Sequence, residues 1–269
     1  MRIATWNINS VRTRAQRAVD LLAKHDIDVL CLQETKVADD KFPVSVFEEA
    51  GYHVTCHGLN QWNGVAIISK EQPEEVQTSF PGQPGFNKDE SKPQELEARA
   101  LSARIRGVEI WSLYVPNGRE ITDRHYDYKL QFLYSLARYA ETRAQSKLLL
   151  TGDFNIAPRD EDVWDISVFR GKTHVTEPER AAFQMLLEAG LEEVTRRYTA
   201  EQRWTYFDYK SLRFQKNEGM RIDFQLASHP LASLVTGAQV DMVERAGDKT
   251  SDHVPLLADF DLPDFDSVR

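Results

Sequence analysis

The chain has 269 residues, with 33 Lys and Arg against 42 Asp and Glu, a formal net charge of −9 at pH 7. Hydrophobic residues make up 41% and charged residues 28%, a globular composition that excludes intrinsic disorder and a coiled coil. With a mean hydropathy of −0.50 and no apolar run near ~18 residues it offers no membrane span, and Cys31 and Cys56 are too few for a disulfide framework and lack zinc-ligand spacing.

Residues 2–8 alternate as a strand, with no signal-peptide-like apolar segment. A reduced, cytoplasmic, monomeric protein is expected. Ser10 is placed as the N-cap of a helix whose apolar positions Val11, Ala15, Ala18, Val19 and Leu22 share one face. Residues 28–32 (DVLCL) read as a second buried strand, followed by strands at 52–57, 64–69, 99–106, 108–115 and 147–152. Later strands are expected at 221–228, 237–243 and 254–260, and long helices at 122–143 and 178–189. Pro178 suits the first turn of its helix. The stretch 81–97 lies between strand-like segments and reads as a long surface loop, so one domain over 1–269 is expected. Strands outnumber helices and follow one another directly, as at 99–115. That suits two packed, mixed sheets with helices outside better than strict βαβ alternation. Trp6, Trp111 and Trp164 read as core aromatics.

Acidic residues gather at 71–75, 89–97, 160–165 and 259–266. Basic ones gather at Arg12, Arg14 and Arg17, at Arg119 and Arg124, and at Lys210, Arg213 and Lys216. Most of these read as solvated charges on helix faces, with one basic face on an acidic molecule as the other reading. Net charge bears on steering, not on what a cleft binds.

The chemistry lies where polar residues interrupt apolar runs. Asn7 and Asn9 close the first strand, and Glu34 follows the second. Tyr114 and Asn117 end the strand that runs into YVPNG, and Asp153 and Asn155 follow 148–152. In the C-terminal half the order reverses: Asp223 starts its strand, and Ser251-Asp252-His253 precedes the last one. If those strands run antiparallel to the earlier ones, one cleft holds Asn7, Glu34, Asp153, Asn155, Asp223 and His253. Carboxylates and amides are hard oxygen donors suited to Mg²⁺ or Mn²⁺, and the lack of HExxH or a cysteine pair disfavours zinc. A His near carboxylates suggests an oriented imidazole, and Asp153 is a candidate acid or base. Together they suit hydrolysis of a phosphate ester. Each also has a structural reading. Asn7 fits a strand-end turn, Glu34 a solvated loop acid, GDFN an Asx turn, and the 251–255 loop a plain structural element.

These motifs resemble the exonuclease III family of DNA-repair nucleases and AP endonucleases, within the endonuclease/exonuclease/phosphatase superfamily. The resemblance runs through TWNINSVR (5–12), LQETK (32–36), WNGVA (62–66), YVPNG (114–118), GDFNIAP (152–158), WTYFDY (204–209), RID (221–223) and SDHVP (251–255). GDFN and SDH mark only the superfamily, whereas LQETK, YVPNG and WTYFDY…RIDF mark the DNA-repair branch. The resemblance implies a four-layer α/β sandwich of two packed mixed β-sheets flanked by helices, with the active site at one edge. It implies that Asn7 and Glu34 hold Mg²⁺, for which Mn²⁺ can substitute, with Asn9 nearby and Asp252 a further ligand. Tyr114 and Asn117 would contact the scissile phosphate. Asp153, steered by Asn155, would activate water or protonate the leaving oxygen, and His253, paired with Asp223, would stabilise the oxyanion. Arg99 would touch the DNA backbone, and Tyr206, Met220 and Ile222 would line a pocket for an extruded abasic sugar. The implied activity is Mg²⁺-dependent cleavage of double-stranded DNA 5′ to abasic sites, with 3′–5′ exonuclease trimming of blocked 3′ ends. The alternative is a phosphomonoesterase or inositol/lipid-headgroup phosphatase on the same scaffold, against which WTYFDY and Arg99 count. Trp6 and Ser10 replace the Phe and Gly common in relatives. Met220 stands where relatives carry Trp or Leu, a softer wall that leaves the balance of the two DNA activities open.

Overall fold

Aliphatic runs form the strands that hold the site. VLCLQ and VAIIS are buried along their whole length, because each sheet is covered on both faces and so needs no alternation. The computed structural model describes residues 1–89, 91–200 and 204–262. Glu90 and the end of the 259–266 acidic cluster lie outside the described residues.

One six-stranded sheet has the order β11 (Val235–Val240), β12 (Leu256–Phe260), β1 (Arg2–Asn7), β2 (Val29–Gln33), β4 (Val65–Ser69) and β3 (His53–His57). The other has the order β5 (Glu74–Gln77), β6 (Ala100–Ile105), β7 (Val108–Tyr114), β8 (Leu148–Asp153), β10 (Asp223–Ser228) and β9 (Leu191–Glu193). The longer helices are α1 (Val11–His25), α3 (Arg124–Arg143) and α5 (Glu177–Glu188). The short ones are α2 (Val44–Glu48), α4 (Ile166–Phe169), α6 (His229–Ala232) and α7 (Val243–Ala246). No helix among the described residues is long and apolar enough to cross a membrane.

Three apolar layers hold four structural ones. Between the sheets, Ile3, Cys31 and Ile67 meet Leu101, Ile110 and Leu149. On the outer face of the first sheet, Trp6, Leu30 and Ile68 pack with Val11, Leu22 and Phe47 of α1 and α2. On the outer face of the second, Trp111, Leu150 and Phe224 pack with Phe132, Leu136, Phe183 and Leu186 of α3 and α5. This is the four-layer sandwich that the motifs implied.

Topology places the site. β1 runs parallel to β2, and β7 parallel to β8. β12 is antiparallel to β1, with Leu256 opposite Thr5. β10 is antiparallel to β8, with Asp223 opposite Asp153. The ends of β1, β2, β7 and β8 therefore share a rim with the starts of β10 and β12. Backbone strain collects there: Asn9 (φ 46), Ser10 (φ 87), Glu34 (φ 51), Asn155 (φ 52) and His174 (φ 84) all lie in the left-handed region, which non-glycine residues rarely occupy. Gly152 (φ 146) precedes Asp153, and a Cβ there would overlap the Leu113 carbonyl oxygen on β7.

Three expectations change. Ser10 occupies the N-cap position of α1 but its hydroxyl makes no capping bond, since its φ of 87 turns the chain toward Glu34, whose carbonyl accepts the Ser10 N–H. The cap of α5 is Thr176, in a capping box with Glu179. The strand placed at 237–243 spans Val235–Val240, and Val243 opens α7 instead. Trp164 is half-buried at a cavity, not in the core. The strands β5 and β9 were not expected, because an edge strand such as EEVQ is exposed throughout and shows no apolar pattern.

Candidate active site

Asp153 ends β8 and is held by two neighbours. Its Oδ1 accepts the Asn155 N–H at 2.9 Å, and its Oδ2 accepts from Asn7 Nδ2 at 3.0 Å. The first bond is an Asx turn, so the structural reading of GDFN and the functional one describe the same object. Asn155 is fixed in turn: its Nδ2 donates to the Val115 carbonyl at 3.0 Å, and its Oδ1 accepts from Asn117 Nδ2 at 3.0 Å.

His253 stands between two carboxylates. Its Nδ1 is 2.9 Å from Asp223 Oδ2, and its Nε2 is 3.8 Å from Asp153 Oδ2. The backbone around it is locked, because Trp6 Nε1 donates to the His253 carbonyl at 3.1 Å and the His253 N–H donates to Ser251 Oγ at 3.1 Å. Burial alone would push the imidazole down, but Asp223 and Asp153 more than offset it and raise its pKa to about 10. Burial raises Asp153 to about 7, opposed by the charge of His253 and reinforced by Asp223 and Glu34. The protonated imidazole is thus favoured beside a carboxyl group whose neutral form is favoured more than in a free carboxylate.

The first sheet supplies the other side. Glu34 Oε1 accepts from Asn7 Nδ2 at 2.9 Å, and Glu34 Oε2 is 2.7 Å from Lys36 Nζ. Burial opposes ionisation of Glu34, but the Lys36 ammonium and the Asn7 amide hold its pKa below the usual carboxylate value. Asn9 takes the Lys36 ammonium on Oδ1 at 2.6 Å and donates to Asp252 Oδ1 at 2.9 Å. Burial first, then the nearby Glu34 charge, pushes the Tyr114 phenol's pKa well up, so it stays protonated and able to donate.

Asp153, Asp223 and His253 form an acidic/His cluster whose ligand atoms lie within 4.8 Å of one another. His253 Nδ1 is engaged with Asp223 Oδ2 at 2.9 Å. The hard oxygens at this rim include those of Asp153, Glu34 and Asn7. Asp223 Oδ1 is buried with no hydrogen-bond partner among the described residues. Converging carboxylates, one with a raised pKa, mark uncompensated negative charge, and a hard divalent cation fits this donor set.

These groups open into a cavity of about 710 Å³. Its polar lining includes Glu34, Asn117, Asp153, Asn155, Asp252 and His253, and its apolar lining includes Trp164, Phe169, Tyr206, Met220 and Ile222. The apolar wall is stitched by backbone bonds, with the Met220 carbonyl accepting the Tyr206 N–H at 2.9 Å. The Tyr206 ring lies 5.0 Å from the His253 ring.

Arg99 is elsewhere. Expected on the DNA backbone, its side chain is only 8% exposed and pairs with Glu97 Oε2 at 2.6 Å. Its guanidinium lies 4.9 Å from the Tyr114 ring centroid and donates to the Tyr114 carbonyl at 3.3 Å. It supports Tyr114 from inside the protein, because the Glu97 carboxylate supplies the charge that makes its burial tolerable. Part of the expected basic face is spent on internal partners. Arg14 donates to the carbonyls of Ile8, Lys249 and Thr250, Arg17 pairs with Glu244, and Arg213 pairs with Glu218. Arg119, Lys172 and Arg213 line the cavity.

Sequence reasoning missed His174, which lines the cavity with its Nε2 at 3.2 Å from Asn155 Oδ1 and 3.3 Å from Asn117 Nδ2. Burial, then the nearby Lys129 ammonium, pushes its pKa down to about 3, so it is a neutral imidazole. No motif or period marks it, and only its position between two helices brings it to the asparagines.

Two packed six-stranded sheets between helices, with an acid–amide–imidazole site on one rim, define the class. The chain belongs to the endonuclease/exonuclease/phosphatase family, whose model matches residues 4–253. It is similar to exodeoxyribonuclease III of Haemophilus influenzae, 33% identical over 271 residues that cover 97% of this chain and 100% of the relative. Among solved structures it is similar to a 3′ phosphatase from Neisseria bound to a product DNA hairpin, with TM-score 0.89, 34% identity and coverage of 97% and 100% of the two chains. It is also similar to an AP endonuclease from Archaeoglobus fulgidus, with TM-score 0.87, 35% identity and the same coverage.

Proposed function

We propose that the chain is a Mg²⁺-dependent DNA-repair phosphodiesterase, working as a monomeric catalytic domain over 1–269 in the cytoplasm. It cleaves double-stranded DNA 5′ to abasic sites and trims blocked 3′ ends as a 3′–5′ exonuclease. One observation carries this reading. Asp153 Oδ2 lies 3.0 Å from Asn7 Nδ2 and 3.8 Å from His253 Nε2, in a cavity that also has an apolar wall. The similarity to an exodeoxyribonuclease, a 3′ phosphatase and an AP endonuclease supports it.

Asn7 and Glu34 would hold the Mg²⁺, with Asn9 and Asp252 beside them; when bound, the ion neutralises charge on a phosphate oxygen. The His253 imidazolium, held by Asp223, offers an N–H to another phosphate oxygen. Tyr114 and Asn117 donate an O–H and an N–H to the same phosphate. Asp153, oriented by Asn155, takes the proton of the attacking water or gives one to the leaving 3′ oxygen, and a pKa of about 7 serves either role. The water oxygen bonds to phosphorus as the P–O3′ bond breaks. Contacts confined to phosphates suit sequence-independent repair. Tyr206, Met220 and Ile222 suit a sugar that has lost its base. A fully hydroxylated inositol ring would leave polar groups unpaired against that wall, which disfavours the headgroup-phosphatase alternative.

The test is a duplex oligonucleotide with one abasic site, with and without Mg²⁺, beside a 3′-phosphate duplex and an inositol phosphate. Mg²⁺-dependent incision and 3′-end trimming are expected. Inositol phosphate turnover with both duplexes intact would overturn the reading.

A further inference from the structure

Lys129 on α3 and Glu179 on α5 form an ion pair in which both side chains are 0% exposed. Burying two charges is costly, and a well-packed apolar pair commonly gives equal or greater stability. Helix packing alone therefore does not call for this pair. Its remaining bonds go to the loops of the site. Lys129 Nζ donates to the Asn155 carbonyl at 2.6 Å and to the Asn117 carbonyl at 3.2 Å. Glu179 Oε1 accepts the His174 N–H at 2.9 Å and the Thr173 hydroxyl at 2.6 Å, while Oε2 accepts the Thr176 N–H at 3.1 Å. Three loops from separate parts of the chain are thus tied through their backbones to one ion pair. Their side chains then meet over the cavity, with Asn155 Oδ1 taking Asn117 Nδ2 at 3.0 Å and lying 3.2 Å from His174 Nε2. Asn155 in turn holds Asp153.

We infer that the buried Lys129–Glu179 pair is a positioning device for the phosphate-facing side of the site, fixing Asn117, Asn155 and through Asn155 the Asp153 carboxyl. This rests on the proposed phosphodiesterase reading. A cation with several donors is what the task requires, since one ammonium can bind two carbonyls and a carboxylate together. An apolar residue fills the space but holds neither carbonyl.

The experiment compares wild type with Lys129→Met, Glu179→Leu and the double variant, measuring melting temperature and, on the abasic duplex, kcat and KM. Each single variant leaves a buried charge unpaired and should melt early. The double variant should melt above either single variant while kcat stays down by about 10²-fold, the scale of a misplaced site, with KM little changed. A double variant with wild-type melting and wild-type kcat overturns the inference. Where the double variant melts early, Glu179→Gln assayed below its melting temperature decides: lowered kcat at unchanged KM supports the inference, and wild-type kcat overturns it. A wild-type protein that leaves the duplex intact fails the functional reading itself, which separates the two.

Discussion

His253 Nε2 lies 3.8 Å from Asp153 Oδ2 while its Nδ1 lies 2.9 Å from Asp223 Oδ2, so one imidazole is shared between two strands of the second sheet. The charge state of this group links the β8–β10 pairing to the chemistry proposed for the site.

The first prediction concerns pH and rate. With Asp153 near 7 and His253 near 10, kcat/KM should change across Asp153 ionisation, rising where it takes the water proton and falling where it protonates the leaving oxygen, and should fall as the imidazolium loses its proton. The two limbs belong to the coupled cluster, not to single residues. Asp223→Asn removes the largest charge that raises His253, so the alkaline limb should move to lower pH. An alkaline limb unmoved in this variant would count against the pairing.

The second concerns pH and stability. Burial, with Asp223 and Glu34, lifts Asp153 from 3.8 to about 7. The native state therefore holds this proton more tightly than the unfolded chain. The resulting stabilisation is complete below pH 3.8 and is lost as pH rises through about 7. Asp153→Asn should gain melting temperature over wild type at pH 8 relative to pH 4. An equal difference at both pH values would refute the shift.

The third concerns turnover and metal. Asp153→Asn and His253→Ala should each lower turnover by at least ~10²-fold, the lower range for a positioned acid or base. Glu34→Ala should move the Mg²⁺ titration midpoint upward. A near-normal rate in the first two, or an unshifted titration in the third, argues against the assigned roles.

The fourth separates two readings of Arg99. A phosphate contact would reduce the salt dependence of DNA binding by about one unit of slope when removed. A buried support for Tyr114, paired with Glu97, predicts that Arg99→Met leaves that slope unchanged and costs about 1–3 kcal/mol of stability, the scale of a lost charged hydrogen bond. Binding measured across a salt series, beside urea unfolding, distinguishes them.

Much of this was legible in the chain alone, for a physical reason. A buried strand must be apolar until it leaves the sheet, so Asn7, Glu34, Asp153 and Asp223 announce strand ends by interrupting apolar runs. Chain order then puts those ends on one rim once the later strands run antiparallel, as β10 and β12 do. The exposed edge strand β5 left no such mark, and the missed cap at Thr176 was a readable T-x-x-E pattern.

Local pattern and motif, which depend on neighbours along the chain, were enough to determine most of the buried strands, the sandwich and the residues around Asp153. Which charges are buried, and what they pair with, only the tertiary structure decided. Lys129 meets Glu179 fifty residues away, Arg99 turns inward to Glu97 and Tyr114, and His174 reaches two asparagines from other loops. Desolvation and Coulomb attraction act across space, so protonation at this site follows from folded distances that spacing along the chain does not encode.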